Sequence, residues 1–345
     1  MLVVRAIKEQ DLDSLMTLAG QVTGGMTTLK ADRKMLGDRI EVACASFSEK
    51  IAPPQRDYVF VMEDTTIGRL AGVCAIKSAV GLDEPFYNYR IGTLVHSSKE
   101  LNVFSRMDTL YLSNDLTGSA ELCSLFLHPD YRNGSNGKLL SKSRFLFIAQ
   151  FPHLFPEKLI AEMRGFQRAD GTSPFWDSLG RHFFKMDFSR ADDLTSLGKK
   201  SFIAELMPRH PLYVAYLPAE AQAVIGRVHV DTAPARRMLE QEGLHYESYI
   251  DIFDAGPVLQ ARVSELRALR ESAPAIVEPA KPAAATDGSE LISNTAMHDF
   301  RVIAARSHPE QGRVALAAED QILLNCRAGD TVRAMPLNVK ALPHA

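Results

Sequence analysis

The sequence predicts a mixed α/β (α+β) protein: one mixed sheet with helices around it, followed by a small β module. Three observations predict this. Tyr58–Met62 and Leu70–Ile76 are apolar runs flanking Glu63-Asp64-Thr65-Thr66-Ile67-Gly68, the pattern of a hairpin. Glu121–Ala149 reads as strand, glycine-containing turn and helix. Pro274–Gly288 is rich in proline and alanine without periodicity, and short strand-like segments follow it.

At 345 residues the chain exceeds one typical domain. Its 46% hydrophobic and 23% charged residues describe a soluble globular protein rather than a disordered or fibrous one. A net charge of −3 gives no global basic balance to argue for nucleic acid, so local basic clusters must serve a local anion. No apolar run approaches the roughly 18 residues of a membrane span. The opening MLVVRAIKEQDL is too short and too charged for a secretory signal. Cys44, Cys74, Cys123 and Cys326 are far apart and form no C-x-x-C pair, which predicts reduced thiols in a cytoplasmic protein and no structural metal.

In order, Leu2–Arg5 reads as a first strand, and Asp11 begins a helix carrying Leu12, Leu15, Met16 and Leu18. Thr23–Leu29 reads as a flexible polar loop, a connection or a flap over a substrate, before a helix over about Arg33–Phe47. Pro53-Pro54 marks a break, and the hairpin follows. Val95 onward and Thr109–Leu112 offer further extended segments, Asn114–Gly118 turns, and the central unit follows, so the first half reads β–α–α–β–β–β–β–α. Leu159–Met163 is the next strand. Ser173-Pro174 and Thr232-Ala233-Pro234 are helix starts, and the second of these helices ends at Gly243 before a strand over Tyr249–Phe253. Pro274–Gly288 is the best linker in the sequence. Beyond it Phe300–Ala305, Arg313–Leu316 and Thr331–Met335 read as short strands that could help dimerise or cover the main domain.

In the central unit, Leu122, Leu125, Phe126 and Leu127 form a short buried strand that His128-Pro129-Asp130 ends, because proline cannot extend the ladder. Arg132–Lys138 is small and polar, and Leu139, Leu140, Phe145, Leu146 and Ile148 follow at near-helical spacing. Such a turn aims backbone N–H groups and a positive helix end at one point, where an anion can sit. Arg132, Lys138, Lys142 and Arg144 are expected to surround that point. An ordinary β–turn–α connection would produce the same pattern.

Arg132-x-x-Ser135-x-Gly137-x-x-Leu140 resembles the pyrophosphate loop of the GCN5-related N-acetyltransferase (GNAT) superfamily, with Ser135 where that loop usually has glycine. VVRAIKEQDLDSLMTLA resembles the opening strand and helix of such a domain, and PARRMLEQEGLHYE its late helix and last strand. The resemblance implies a mostly antiparallel sheet, elaborated or partly duplicated. It implies an acyl-CoA-binding core at 1–150 and a second half at 151–272 completing the core and active site, while composition predicts a linker at 273–289 and a β module at 290–345.

Over about residues 1 to 270 the chain is also similar to the arginine N-succinyltransferase family. The matching stretches are Glu84–Thr93, Ser97–Asn102, Leu112–Gly118, Ile160–Gly165, Ser173–Gly180, Phe202–Pro208 and Tyr249–Pro257. Some members of that family are paired, non-identical subunits acting on arginine or ornithine. The resemblance therefore implies succinyl-CoA as cosubstrate, no permanently bound cofactor, L-arginine or L-ornithine as acceptor, and a homo-oligomer or paired-subunit heteromer. It also implies that Leu125 contacts succinyl-CoA; Leu127 on the same strand, and Arg132, Gly137 and Lys138 in the pyrophosphate-like loop, are the further CoA-binding candidates. His229 falls where the family places its catalytic proton donor, with Val230 in place of the proline usual after it.

Acyl transfer to an amine needs a deprotonated amine, a stabilised oxyanion and a protonated leaving thiolate. Backbone N–H groups around Leu125–Leu127 suit the oxyanion, and an imidazole such as His229 exchanges protons near pH 6.5. Glu121 or Glu162 could take the amine proton. Arg90, Arg164 or Lys138 could hold the distal carboxylate of a succinyl group, and Asp115, Asp251 or Asp254 a guanidinium. Sequence spacing does not choose among them.

Overall fold

A computed structural model describes residues 1–22, 26, 28–196, 205–208, 210–279 and 289–339. The glycine pair of the Thr23–Leu29 loop and part of Phe202–Pro208 lie outside these residues. β1 (Leu2–Ala6) is followed by helices α1 (Leu12–Ala19) and α2 (Arg33–Phe47), as expected. Between α2 and the next long helix run five strands rather than four: β2 (Asp57–Asp64), β3 (Arg69–Lys77), β4 (Asn88–Ser98), β5 (Val103–Ser113) and β6 (Ala120–Leu127). Helix α3 (Asn136–Gln150) and β7 (Lys158–Glu162) follow. Ser173 caps the next helix through its Oγ, which accepts the Trp176 N–H at 3.3 Å. The second half continues with β8 (Leu212–Tyr213), a helix at Ala233–Gln241, β9 (His245–Asp251) and β10 (Pro257–Arg262). The chain ends with β11 (Ala273–Pro279), β12 (Glu290–Ser293), β13 (Arg301–Ala305), β14 (Arg313–Leu316) and β15 (Thr331–Pro336).

The strands form one continuous sheet in the order β14-β11-β15-β12-β13-β1-β2-β3-β6-β7-β10-β9-β4-β5-β8. Among the described residues only β11/β14 and β6/β7 pair in parallel. Strand alternation sends residues to opposite faces. Tyr58, Phe60 and Met62 of β2 therefore face α3, while Val59 and Val61 face α1 and α2. Burial on both faces explains why β2 reads as a continuous apolar run rather than an alternating one.

Two expectations change here. The segment 273–289 does not begin as a linker: 273–279 is β11, hydrogen-bonded to β15 and β14, and the proline-rich residues 280–288 lie outside those described. The β module is an extension of the main sheet, because β13 pairs with β1 through Val4↔Val302 and Arg5↔Arg301. Its Leu291, Phe300, Val302, Met335 and Leu337 enter the same buried cluster as Phe60 and Phe147.

Candidate active site

The site is organised by a fork in the sheet. β6 and β7 pair only at Ala120↔Leu159 and Glu121↔Ile160. Among the described residues, no strand lies against 122–127 on that side. A bulge sharpens the divergence. Between Val73↔Phe126 and Ala75↔Cys123, β6 carries one residue more than β3, and Ser124 takes a positive φ of 54°. Leu125 and Leu127, both half-buried, lie on this stretch, which pairs with β3 on one side and is open, among the described residues, on the other. Arg39, unremarked in the sequence, holds the bulge. Its Nη1 donates to Ser124 Oγ at 2.8 Å and to the Thr28 carbonyl at 2.6 Å, while Asp57 accepts its Nε–H at 2.8 Å. Nothing in the spacing of Arg39, Asp57 and Ser124 marks that cluster.

Beyond β6, a short turn leads to α3. An α-helix leaves its first N–H groups without intrahelical acceptors, and at α3 these include those of Gly137 and Lys138. Arg132 folds back on the strand: its Nε donates to the Leu127 carbonyl at 2.9 Å and its guanidinium lies 5.7 Å from the Phe126 ring centre. Lys138 Nζ donates to Asn338 Oδ1 at 2.7 Å. Lys142 and Arg144 do not surround the turn. α3 is buried on all sides from Leu139 to Ala149, so both point into protein. Lys142 pairs with Glu242 at 2.8 Å, and Arg144 Nη2 donates to Ser141 Oγ at 3.0 Å.

His229 stands at the start of the turn before helix Ala233–Gln241. Its N–H donates to the Arg164 carbonyl at 2.8 Å, which fixes it beside the chain leaving β7. Nδ1 accepts the Asp231 N–H at 3.2 Å, so the ring proton of the neutral form sits on Nε2. Asp231 Oδ2, 3.5 Å from Nδ1, is placed to take over that contact when the ring is charged. Burial, then the charge of Arg164, holds the imidazole below its ordinary 6.5, with Asp231 opposing.

Of the candidate cations, Arg164 is the one beside His229. Arg90 is exposed, 3.7 Å from Asp115, which also accepts the Tyr249 hydroxyl at 2.9 Å. Glu121 pairs across strands with Lys77 and Ile160, and Glu162 accepts an N–H of Asn88 at 3.0 Å. Leu159, Ala161 and Met163 pack towards α3, so Ile160 and Glu162 share the opposite face of the sheet with Glu121. Asp251 and Asp254 are committed to backbone rather than open to a guanidinium. Asp251 Oδ1 accepts the N–H groups of Phe253 and Asp254, and Asp254 accepts those of Gly256 at 2.9 Å and Gly165 at 2.7 Å. Burial and the neighbouring Asp254 push the Asp251 carboxyl well above the usual carboxylate range. Among the described residues, no three His, Cys, Asp or Glu side chains converge as a metal centre would. A shallow hollow of about 420 Å³ between Ile7, Cys44 and His298 contains none of these candidates.

A sheet forked beside a strand–turn–helix unit, with helices on both faces, is the architecture of GNAT-type acyl-CoA N-acyltransferases. Within that class the chain belongs to the arginine N-succinyltransferase family. Residues 2–268 match the family model for the arginine N-succinyltransferase beta subunit, and residues 275–336 match the model for its C-terminal domain. Proteins named arginine N-succinyltransferase from Escherichia coli (strain 55989 / EAEC) and Citrobacter koseri are each 51% identical over 337 residues, covering 98% of both chains. The solved structure of arginine/ornithine succinyltransferase subunit AI from Pseudomonas aeruginosa superposes with a TM-score of 0.90 at 33% identity, covering 98% of this chain and 99% of that one.

Proposed function

We propose that the protein is an arginine N-succinyltransferase, which moves the succinyl group of succinyl-CoA to the α-amine of L-arginine and releases CoA and N2-succinylarginine. The observation that carries this reading is the 51% identity to arginine N-succinyltransferases along 98% of both chains. In the reaction the unprotonated amine attacks the thioester carbonyl. A C–N bond forms, the carbonyl oxygen becomes an oxyanion, and the C–S bond then breaks to release a thiolate. The open stretch of β6 at Leu125–Leu127 supplies N–H donors for oxyanion and pantetheine. The Gly137 and Lys138 N–H groups, with Lys138 and Arg132 at the rim, take the pyrophosphate. His229 gives the Nε2 proton to the thiolate, a downhill transfer because an imidazolium below 6.5 is a stronger acid than a thiol near 8.5. Glu121 and Glu162 share the face of the sheet from which the amine proton would be taken.

Two finer points belong to the same reading. Ornithine is the alternative acceptor, which the 51% identity to proteins named for arginine does not favour; the subunit name of the Pseudomonas protein supports assembly with further subunits. Cytoplasmic location is supported by four free thiols. The test is turnover by the purified chain alone, with thiol release followed for succinyl-CoA against arginine and ornithine and the product identified by mass. Succinylarginine formation is expected. No thiol release with either amino acid would overturn the catalytic assignment and favour a supporting subunit.

A further inference from the structure

The strongest unexplained feature beside His229 is a pair of unpaired donors. Arg164 Nη2 donates to Gln167 Oε1, which fixes the glutamine amide with its NH2 pointing away. Arg164 Nε and Gln167 Nε2 are then both buried, and neither has a hydrogen-bond partner among the described residues. Gln167 is only 9% exposed. No acidic side chain pairs with Arg164 among the described residues. Buried polar groups are satisfied in most native proteins, and an unmade bond to a charged donor is among the most costly omissions. A pair kept unsatisfied is explained by a ligand that supplies the acceptor. Both open groups are donors and one carries full positive charge, so the acceptor they fit is a carboxylate. The Arg164 carbonyl holds the His229 N–H at 2.8 Å, which ties this pair to the candidate proton donor.

We infer that Arg164 and Gln167 form the subsite for a substrate carboxylate. The inference rests on the succinyl-transfer reading and adds the residues that select the substrate. Two carboxylates lie near the reacting carbon in that reaction, the distal one of the succinyl group and the α-carboxylate of the amino acid. Their chemistry is shared, and substrate pairs that differ only in that charge separate them.

The experiment compares the wild-type chain with Arg164→Leu and Gln167→Glu. The leucine removes the charge, and the glutamate pairs with Arg164 from inside and repels an incoming anion. Binding by calorimetry and kcat/KM are measured for succinyl-CoA against acetyl-CoA, and for L-arginine against L-argininamide. A loss of about 10- to 100-fold confined to succinyl-CoA assigns the distal carboxylate, and the same loss confined to arginine assigns the α-carboxylate. Either supports the subsite. Equal changes across both members of both pairs, or no change in folded variants, would overturn it. Gln167→Glu replaces an unpaired donor with a carboxylate that Arg164 can pair with and should leave Tm unchanged or raised, so a lowered Tm of that variant with equal losses identifies a structural role and also overturns it. Calorimetry needs no turnover. A wild-type chain that transfers nothing would therefore count against the proposed reaction, while the binding ratios still decide on Arg164 and Gln167.

Discussion

At the scale of single residues, His229 and Gly137 allow the proposed chemistry and the proposed binding to be tested separately. The Nδ1 contact with Asp231 leaves Nε2 as the ring position from which a proton can leave. General acid assistance is typically worth about 10²–10⁴ in rate. His229→Gln, which cannot transfer a proton, is expected to lower kcat by that order with little change in succinyl-CoA binding. Because burial and Arg164 hold the imidazole below 6.5, its charged form declines as pH rises through that lower value. The limb of the kcat profile set by this group should lie below pH 6.5 in the wild type and vanish in the glutamine variant. The same shift costs stability in acid. As pH falls through 6.5 the unfolded chain takes up the proton first, and the penalty is complete once pH is below the folded value. Gly137 tests the other half. A Cβ there meets no protein atom within 4 Å, so Gly137→Leu should fold normally and obstruct only a ligand. The apparent KM for succinyl-CoA should rise far more than that for arginine. Equal rises would remove residues 132–138 from CoA binding.

At the scale of elements, the site depends on how tightly the chain leaving β7 packs on the turn after β9. A Cβ on Gly256 would overlap the Met163 carbonyl oxygen, and one on Gly165 would overlap the Asp254 carbonyl. Backbone offers no flexible side chain to move aside. Gly256→Ala should therefore push the two segments apart, shift Arg164 and with it His229, and lower both Tm and kcat. A variant with wild-type Tm and activity would show that the segments part freely. These elements were unequally legible in the sequence. Helix α2 at Arg33–Phe47 and the hairpin are plain in the sequence, because apolar runs and turn residues are local signals. The positions of Lys142 and Arg144 are not legible in the sequence, because a basic residue in a helix is ordinarily solvated, whereas tertiary packing covers α3 on every side. Asp254 and Arg164 could not be ranked as ligands in advance. Whether a polar group is satisfied depends on partners 89 residues away, such as Gly165 for Asp254.

At the scale of the whole molecule, the C-terminal residues close a core that the first half leaves open. Phe147 on α3 touches Phe47, Tyr58, Phe60 and Phe155, and the module's Phe300 completes the ring cluster at 4.9 Å between centres. Beside it runs a buried charge network. Glu242, fully buried, takes Lys142 at 2.8 Å and Arg267 at 2.9 Å. Two cations around one carboxylate are held by carbonyls of the module. Lys142 Nζ donates to that of Leu337 at 2.9 Å, and Arg267 to that of Pro336 at 3.2 Å. Burial pushes the Lys142 ammonium down, Glu242 opposes this, and Arg267 adds to it, so the loss of a carbonyl acceptor leaves a charge already held at cost. Breaking a buried ion network typically costs about 3–5 kcal/mol, and truncating a buried phenylalanine costs a similar amount. Ending the chain after residue 288 would remove both together and bare the β1 edge that pairs with β13. Such a sum reaches the whole stability of an ordinary domain, about 5–15 kcal/mol. The shortened chain is therefore expected to be unfolded or aggregated by circular dichroism and gel filtration. If it stayed monomeric and cooperatively folded, with only the KM for succinyl-CoA raised, the module would be a cover over the Lys138 side of the fork rather than a part of the core.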